Sequence, residues 1–137
     1  MKNFASALKK NKKILIFGAG FSGKHIAEEM RNVGFEAYTS SRTSKNDKWS
    51  FVYDSNNDEL PPDNLFEDVS HVLSCIPPNK DGTDPLLSKL ENKLLKLDLE
   101  WAGYLSTTGV YGNTMGSWVS EDDPVNPIQE RSKRRLL

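Results

Sequence analysis

The stretch Lys13-Ile14-Leu15-Ile16-Phe17-Gly18-Ala19-Gly20-Phe21-Ser22-Gly23 decides how this chain is read. Its first five residues are an apolar run that stops at a glycine, the pattern of a strand buried on both faces of a parallel sheet. Its last six form a G-x-G-x-x-G sequence. Beyond it, Ile26, Ala27, Met30 and Val33 recur at helical spacing and Gly34 stands where a helix C-cap belongs, which predicts a helix over 22–33. A glycine hexamer alone is a weak signal, but between a strand and a helix it is specific. The chemistry asks Gly18 for a tight turn, Gly20 for close approach of backbone to a pyrophosphate, and Gly23 for close packing of helix on strand. The N–H groups at the helix start, those of Phe21 and Ser22 included, would then receive the pyrophosphate. The expectation is a dinucleotide site.

Working outward, residues 35–40 alternate in polarity and are rich in strand formers, so they read as a second strand running into a polar loop. Residues 49–53 read as a third strand. The polar stretch 54–68 contains Pro61-Pro62 and specifies no long helix. Residues 69–76 form another apolar run, closed by Pro77-Pro78, which have no N–H to give a ladder. Asp84-Pro85 then leads a leucine-rich helix with Leu86, Leu87, Leu90, Leu94, Leu95 and Leu97, and residues 99–106 make a fifth strand. In this reading strands alternate with helices throughout, which predicts an α/β fold: a doubly wound parallel sheet of the Rossmann type, with helices on both faces.

The end of the second strand carries the next test, because a carboxylate there would hold a ribose 2′-OH whereas an arginine accommodates a 2′-phosphate. The sequence offers Ser40-Ser41-Arg42-Thr43 and no carboxylate. Arg42 presents a rigid, permanently charged fork to phosphate oxygens, and Ser41 adds a hydroxyl donor. NADP is therefore the expected cofactor, with NAD allowed. Asp54, just after the third strand, is a candidate contact near the adenine.

The bulk properties narrow the partners. The chain has 137 residues, 27% of them charged, and a formal net charge of -1, so no strongly basic face favours nucleic acid and a small molecule fits better. The Lys133-Arg134-Arg135 run is short, lies beside Glu130 and has no interleaved aromatics, so it reads as a solvated helix face. Cys75, the single cysteine, sits inside an apolar run, where a buried reduced thiol is expected; that points to a reducing, cytoplasmic setting. No apolar run approaches about 18 residues, so no membrane partner is expected. His71 has no acidic or cysteine cluster at ligand spacing, and no metal is expected. The residues are silent on oligomeric state, and a homo-oligomer is compatible with them.

Leu105-Ser106-Thr107-Thr108-Gly109-Val110-Tyr111-Gly112 resembles the (S/T)(S/T)xxVYG segment of extended short-chain dehydrogenases/reductases, the NAD-dependent, nucleoside-diphosphate-sugar epimerase and dehydratase group. The glycine turn, Arg42, the segment Ser74-Cys75-Ile76-Pro77-Pro78, and Glu121 with Pro124 extend the resemblance over most of residues 12–127. It implies that Thr107 hydrogen-bonds a substrate carbonyl or hydroxyl, that Ile76 and Pro77 touch the cofactor, and that the substrate is a small molecule such as a sugar nucleotide. Residues 1–127 are then expected to be an NAD(P)-binding domain and 128–137 the start of a further helix. Under the same resemblance the fold is expected to be incomplete at its C-terminus: either the chain is a piece of a longer protein, which the unfinished last helix favours, or a partner supplies the missing surface.

Two departures bear on function. Phe17 occupies the first glycine of the family's usual GxxGxxG pattern. The family's YxxxK pair should fall near residues 131–135, where the sequence reads Arg131-Ser132-Lys133-Arg134-Arg135 and supplies neither partner. A guanidinium keeps its proton throughout the accessible pH range, so Arg131 and Arg135 cannot replace that acid/base couple. Two readings follow: an oxidoreductase or epimerase domain, and a non-catalytic nucleotide-binding sensor or interaction module. A flavodoxin-like interaction domain would require the glycine turn to be accidental.

Overall fold

The structure, a computed structural model, describes residues 12–105. Five strands form one sheet: β1 (Lys13–Phe17), β2 (Glu36–Ser41), β3 (Ser50–Val52), β4 (Val69–Ser74) and β5 (Trp101–Tyr104). All neighbours are parallel, in the order β3-β2-β1-β4-β5. The chain runs outward from β1 to β3, then returns to the other side of β1 for β4. This reversal makes the C-terminal ends of the central strands a topological switch point, where open α/β sheets bind ligands.

Two helices cover opposite faces, as the doubly wound reading requires. Helix α1 (Phe21–Asn32) lays Ile26, Ala27 and Met30 on Ile14, Ile16, Ala37 and Leu73. Helix α2 (Leu87–Leu95) lays Leu90 and Leu94 on the other face, against a core holding Leu15, Phe17, Phe51, Tyr53 and Val72. Successive β1 side chains alternate between the two cores, which is why Ile14 through Phe17 are all buried and the run reads as continuously apolar. Gly34, at φ +98°, closes α1: its N–H donates to Arg31 O at 3.0 Å and the Phe35 N–H to Met30 O at 2.9 Å.

The expected alternation of strands and helices throughout does not hold. Residues 42–49 join β2 to β3 without a helix, and between β3 and β4 there is only a 3₁₀ turn, Asp63–Phe66. Local side-chain bonds hold these links, such as Asp47 Oδ1 accepting from the Trp49 N–H at 2.9 Å. Strand β4 stops at Ser74, short of the expected Ile76. The Cys75 N–H makes one more bond, to Phe17 O at 2.8 Å, before the chain reaches Pro77 and Pro78. Strand β5 is also shorter than expected, because its pairing spans only His71 to Ser74 of β4. The expected segments at 112–127 and 129–137, and the 127/128 boundary, lie outside the described residues.

Candidate functional site

Two helix starts show what is special about one of them. At α2 the Asp84 carboxylate accepts from the Leu86 and Leu87 N–H groups at 2.8 and 3.0 Å, so its first donors are satisfied by a fixed anion. At α1 the N-cap is Gly20, no side chain caps the helix, and its first turn has no acidic residue. The first N–H groups of α1 are thus left for a solvent or ligand acceptor, at the positive end of the helix dipole.

This helix start opens on a cleft of about 550 Å³ at the C-terminal ends of β1, β2 and β4, within the size range of small-molecule sites. Gly18, Gly20, Arg42, Asp54, Ile76 and Pro77 line it together. The three motif glycines have different reasons to be glycine. Gly18 has φ +110°, and a Cβ there would stand 3.3 Å from Cys75 Cβ. At Gly23 a Cβ would lie 2.1 Å from the Gly18 carbonyl oxygen, so the helix sits on the turn with no room for a methyl. Gly20 has φ -74°, which any residue adopts, and a Cβ there would meet nothing within 4 Å. Nothing among the described residues explains Gly20; the open space before it fits a ligand approaching the backbone.

The remaining predicted residues are placed differently. The Phe21 side chain is 83% exposed, with its ring centroid 5.0 Å from that of His25, and Ser22 is exposed; neither residue lines the cleft. Ser41 does not line it; its hydroxyl donates to the Thr43 carbonyl within the β2–β3 loop. Asp54 uses one oxygen to accept the Asn56 N–H at 3.0 Å. Thr107 lies outside the described residues.

Residues not singled out by the sequence also line the cleft. Ser40, buried at 2% exposure, accepts the Gly18 N–H on Oγ at 2.8 Å. Tyr53 stacks edge-on against Phe17, with centroids 5.5 Å apart, and donates its hydroxyl to the Pro85 carbonyl. Burial, and then the nearby Asp84 and Asp54 carboxylates, push its phenol up to about 12, so it is a neutral wall rather than a base. Lys80 extends from the β4–α2 loop, a turn stiffened by Asn79 N–H to Thr83 O at 2.9 Å and by Asp81 Oδ1, which accepts from the Thr83 N–H and hydroxyl at 3.0 and 2.6 Å. Those donors hold the Asp81 carboxyl below the usual carboxylate range. Burial raises the pKa of Cys75, also in the cleft wall. Among the described residues the cleft thus has two cations, Arg42 and Lys80, against one carboxylate, Asp54. Only a long-range signal could have found Tyr53 and Lys80, since their membership depends on how loops meet.

Phe17 explains its departure from the usual glycine: it is fully buried, edge-on to both Phe51 and Tyr53, beneath the cleft rather than in it. One buried hydroxyl nearby, Ser74 Oγ, has no partner among the described residues and does not line the cleft. Among the described residues no three His, Cys, Asp or Glu side chains group as metal ligands, and no helix is long and apolar enough to cross a membrane.

No family model and no curated protein sequence matches the chain. Solved structures do. A conserved protein of unknown function from Silicibacter pomeroyi shares 27% identity at a TM-score of 0.73, over 92% of this chain and 46% of that one. The UDP-N-acetylglucosamine 4-epimerase from Bacillus cereus shares 20% at 0.69, over 92% and 46%. The dTDP-glucose 4,6-dehydratase from Bacillus anthracis, a structure in complex with NAD, shares 17% at 0.64, over 90% and 47%. The fold is therefore that of NAD-dependent epimerases and dehydratases, and the chain spans about half the length of each of these three structures.

Proposed function

We propose that this chain is the NADP-binding part of an oxidoreductase or nucleoside-diphosphate-sugar epimerase/dehydratase of the extended short-chain type. The observation that carries the proposal is the uncapped start of α1, facing a cleft at the switch point with open space before Gly20. The phosphates of a dinucleotide satisfy those N–H donors, and only a glycine at position 20 lets them come close. Arg42 would hold the 2′-phosphate, Asp54 would meet the adenine, and Ile76 and Pro77 would flank the cofactor. Bound there, the nicotinamide would accept and return hydride. Thr107 would hydrogen-bond the substrate. The solved structures this chain resembles favour this class, since they include a dTDP-glucose dehydratase with NAD bound and a UDP-sugar epimerase.

The test is calorimetric titration of NADP and NAD. NADP should bind more tightly, Gly20→Val should abolish binding of both, and Arg42→Ala should weaken NADP by about tenfold or more while sparing NAD, the loss of one charge-assisted contact. Equal loss of both cofactors in Arg42→Ala would overturn the NADP preference, and binding of neither by the unaltered chain would overturn the reading. A second reading, a non-catalytic sensor or interaction module, is favoured by the absence of a Tyr-Lys pair at 131–135. Cofactor binding without hydride transfer or epimerisation across a sugar-nucleotide panel, measured on the longest natural chain, selects it.

A further inference from the structure

The bond that fixes the glycine turn comes from a side chain. Backbone pairing of β1 with β2 ends at Ile16 opposite Thr39, so the Gly18 N–H lies beyond the ladder and has no strand partner there. On the other side, β1 is still tied to β4 through Phe17 O and the Cys75 N–H at 2.8 Å. Ser40 supplies what the ladder lacks, its Oγ accepting the Gly18 N–H at 2.8 Å from a position only 2% exposed on the cleft wall. Gly18 is thereby held at both ends. Its N–H is anchored to β2, and its carbonyl oxygen abuts the first turn of α1, where a Cβ on Gly23 would stand 2.1 Å away. At φ +110° this residue has a backbone that could otherwise relax, since glycine tolerates many conformations.

We propose that Ser40 is the positioning residue of the glycine turn. Its hydroxyl fixes the Gly18 backbone, and through Gly18 the start of α1, so that the free helix N–H groups meet a diphosphate in register. The inference rests on the dinucleotide reading and adds to it the element that pre-organises the diphosphate subsite. Pre-organisation of this kind affects every ligand carrying the diphosphate and no ligand lacking it.

The experiment compares the full chain with Ser40→Ala, Ser40→Cys and Ser40→Thr against three probes: NAD, NADP and adenosine 2′-monophosphate, which has the 2′-phosphate but no diphosphate. Ser40→Ala leaves the Gly18 N–H unpaired and should weaken NAD and NADP by the same factor, about tenfold, with adenosine 2′-monophosphate unchanged. Ser40→Thr, which keeps the hydroxyl, should restore both. Ser40→Cys has nearly the same shape with a weaker acceptor, should lose less, and serves if Ser40→Ala does not fold. Amide exchange at Gly18, followed by NMR in the free protein, should quicken in Ser40→Ala and return in Ser40→Thr. Loss of NADP and adenosine 2′-monophosphate but not NAD would make Ser40 a reader of the 2′-phosphate and overturn the proposal. Equal loss of all three probes, or of none, would also overturn it. If the unaltered chain binds neither dinucleotide, the cofactor reading and this proposal fall together; if it binds them and Ser40→Ala binds them equally well, only this proposal falls.

Discussion

Gly23→Ala is the sharpest test of how the site is built, because a single methyl is asked to enter a space already occupied by backbone. The added Cβ would lie 2.1 Å from the Gly18 carbonyl oxygen and 3.2 Å from its carbon, whereas real Cβ contacts essentially never fall under 3.0 Å. Helix and turn must therefore separate by about 1 Å, since neither contact is a flexible side chain that can swing aside. That retreat also pulls Ile26, Ala27 and Met30 away from Ile14 and Ile16, and a gap of about 0.5–1 Å forfeits a quarter to a half of each dispersion contact. The combined cost should reach the upper part of the overpacking range, about 3 kcal/mol, or roughly 10–15 °C in Tm. Gly20→Val is the control: its Cβ meets nothing within 4 Å, and losing a glycine N-cap costs about 1 kcal/mol or less. Thermal melts followed by circular dichroism, paired with cofactor titration, should separate the two. Gly23→Ala should lose stability. Gly20→Val should melt close to the unaltered chain and lose cofactor. A Gly23→Ala melt within about 2 °C of the unaltered chain, or a Gly20→Val variant equally destabilised, would refute the reasoning.

Other expectations concern the cleft walls. Tyr53→Phe leaves the buried Pro85 carbonyl with only the Ser88 hydroxyl, at 3.2 Å, and should cost about 1 kcal/mol in chemical denaturation, a loss equal for chain with and without cofactor. With its pKa raised, the neutral Tyr53 phenol contributes stability that is fully present below about pH 10 and is lost as pH rises through about 12; ultraviolet titration of wild type should show a tyrosinate forming near pH 12 that Tyr53→Phe lacks. Cys75, likewise raised by burial, should be alkylated by iodoacetamide more slowly than free cysteine at pH 8, and more slowly still with NADP in the cleft. Its neutral form stabilises the fold below about pH 8.5, and that contribution is lost as pH rises through the higher folded-state value.

The sequence determined the elements whose signals are local. The apolar run of β1 names itself because both faces of a central parallel strand are buried, and Gly18 and Gly23 are legible because a tight turn and a close helix packing leave no room for side chains. The α1 face and its Gly34 cap follow from helical spacing and from a left-handed backbone. What the sequence misjudged was local order in polar segments: the expected rhythm of helices fails between β2 and β4, where turn-forming side chains close short links. Site membership was a tertiary matter. Ser40 and Ser41 are neighbours of the same type, yet one hydroxyl anchors Gly18 and the other bonds within its own loop, a distinction set by which segments pack beside each of them in the folded sheet. Tyr53, Lys80 and Pro85 join the cleft because β3 and the β4–α2 loop meet in space, and a Cβ added at Gly20 would face open space because of where α1 begins. Periodicity and backbone restrictions are written residue by residue. Hydrogen-bond partners and shared cavities depend on distances between segments far apart in the chain, and only the folded sheet fixes those.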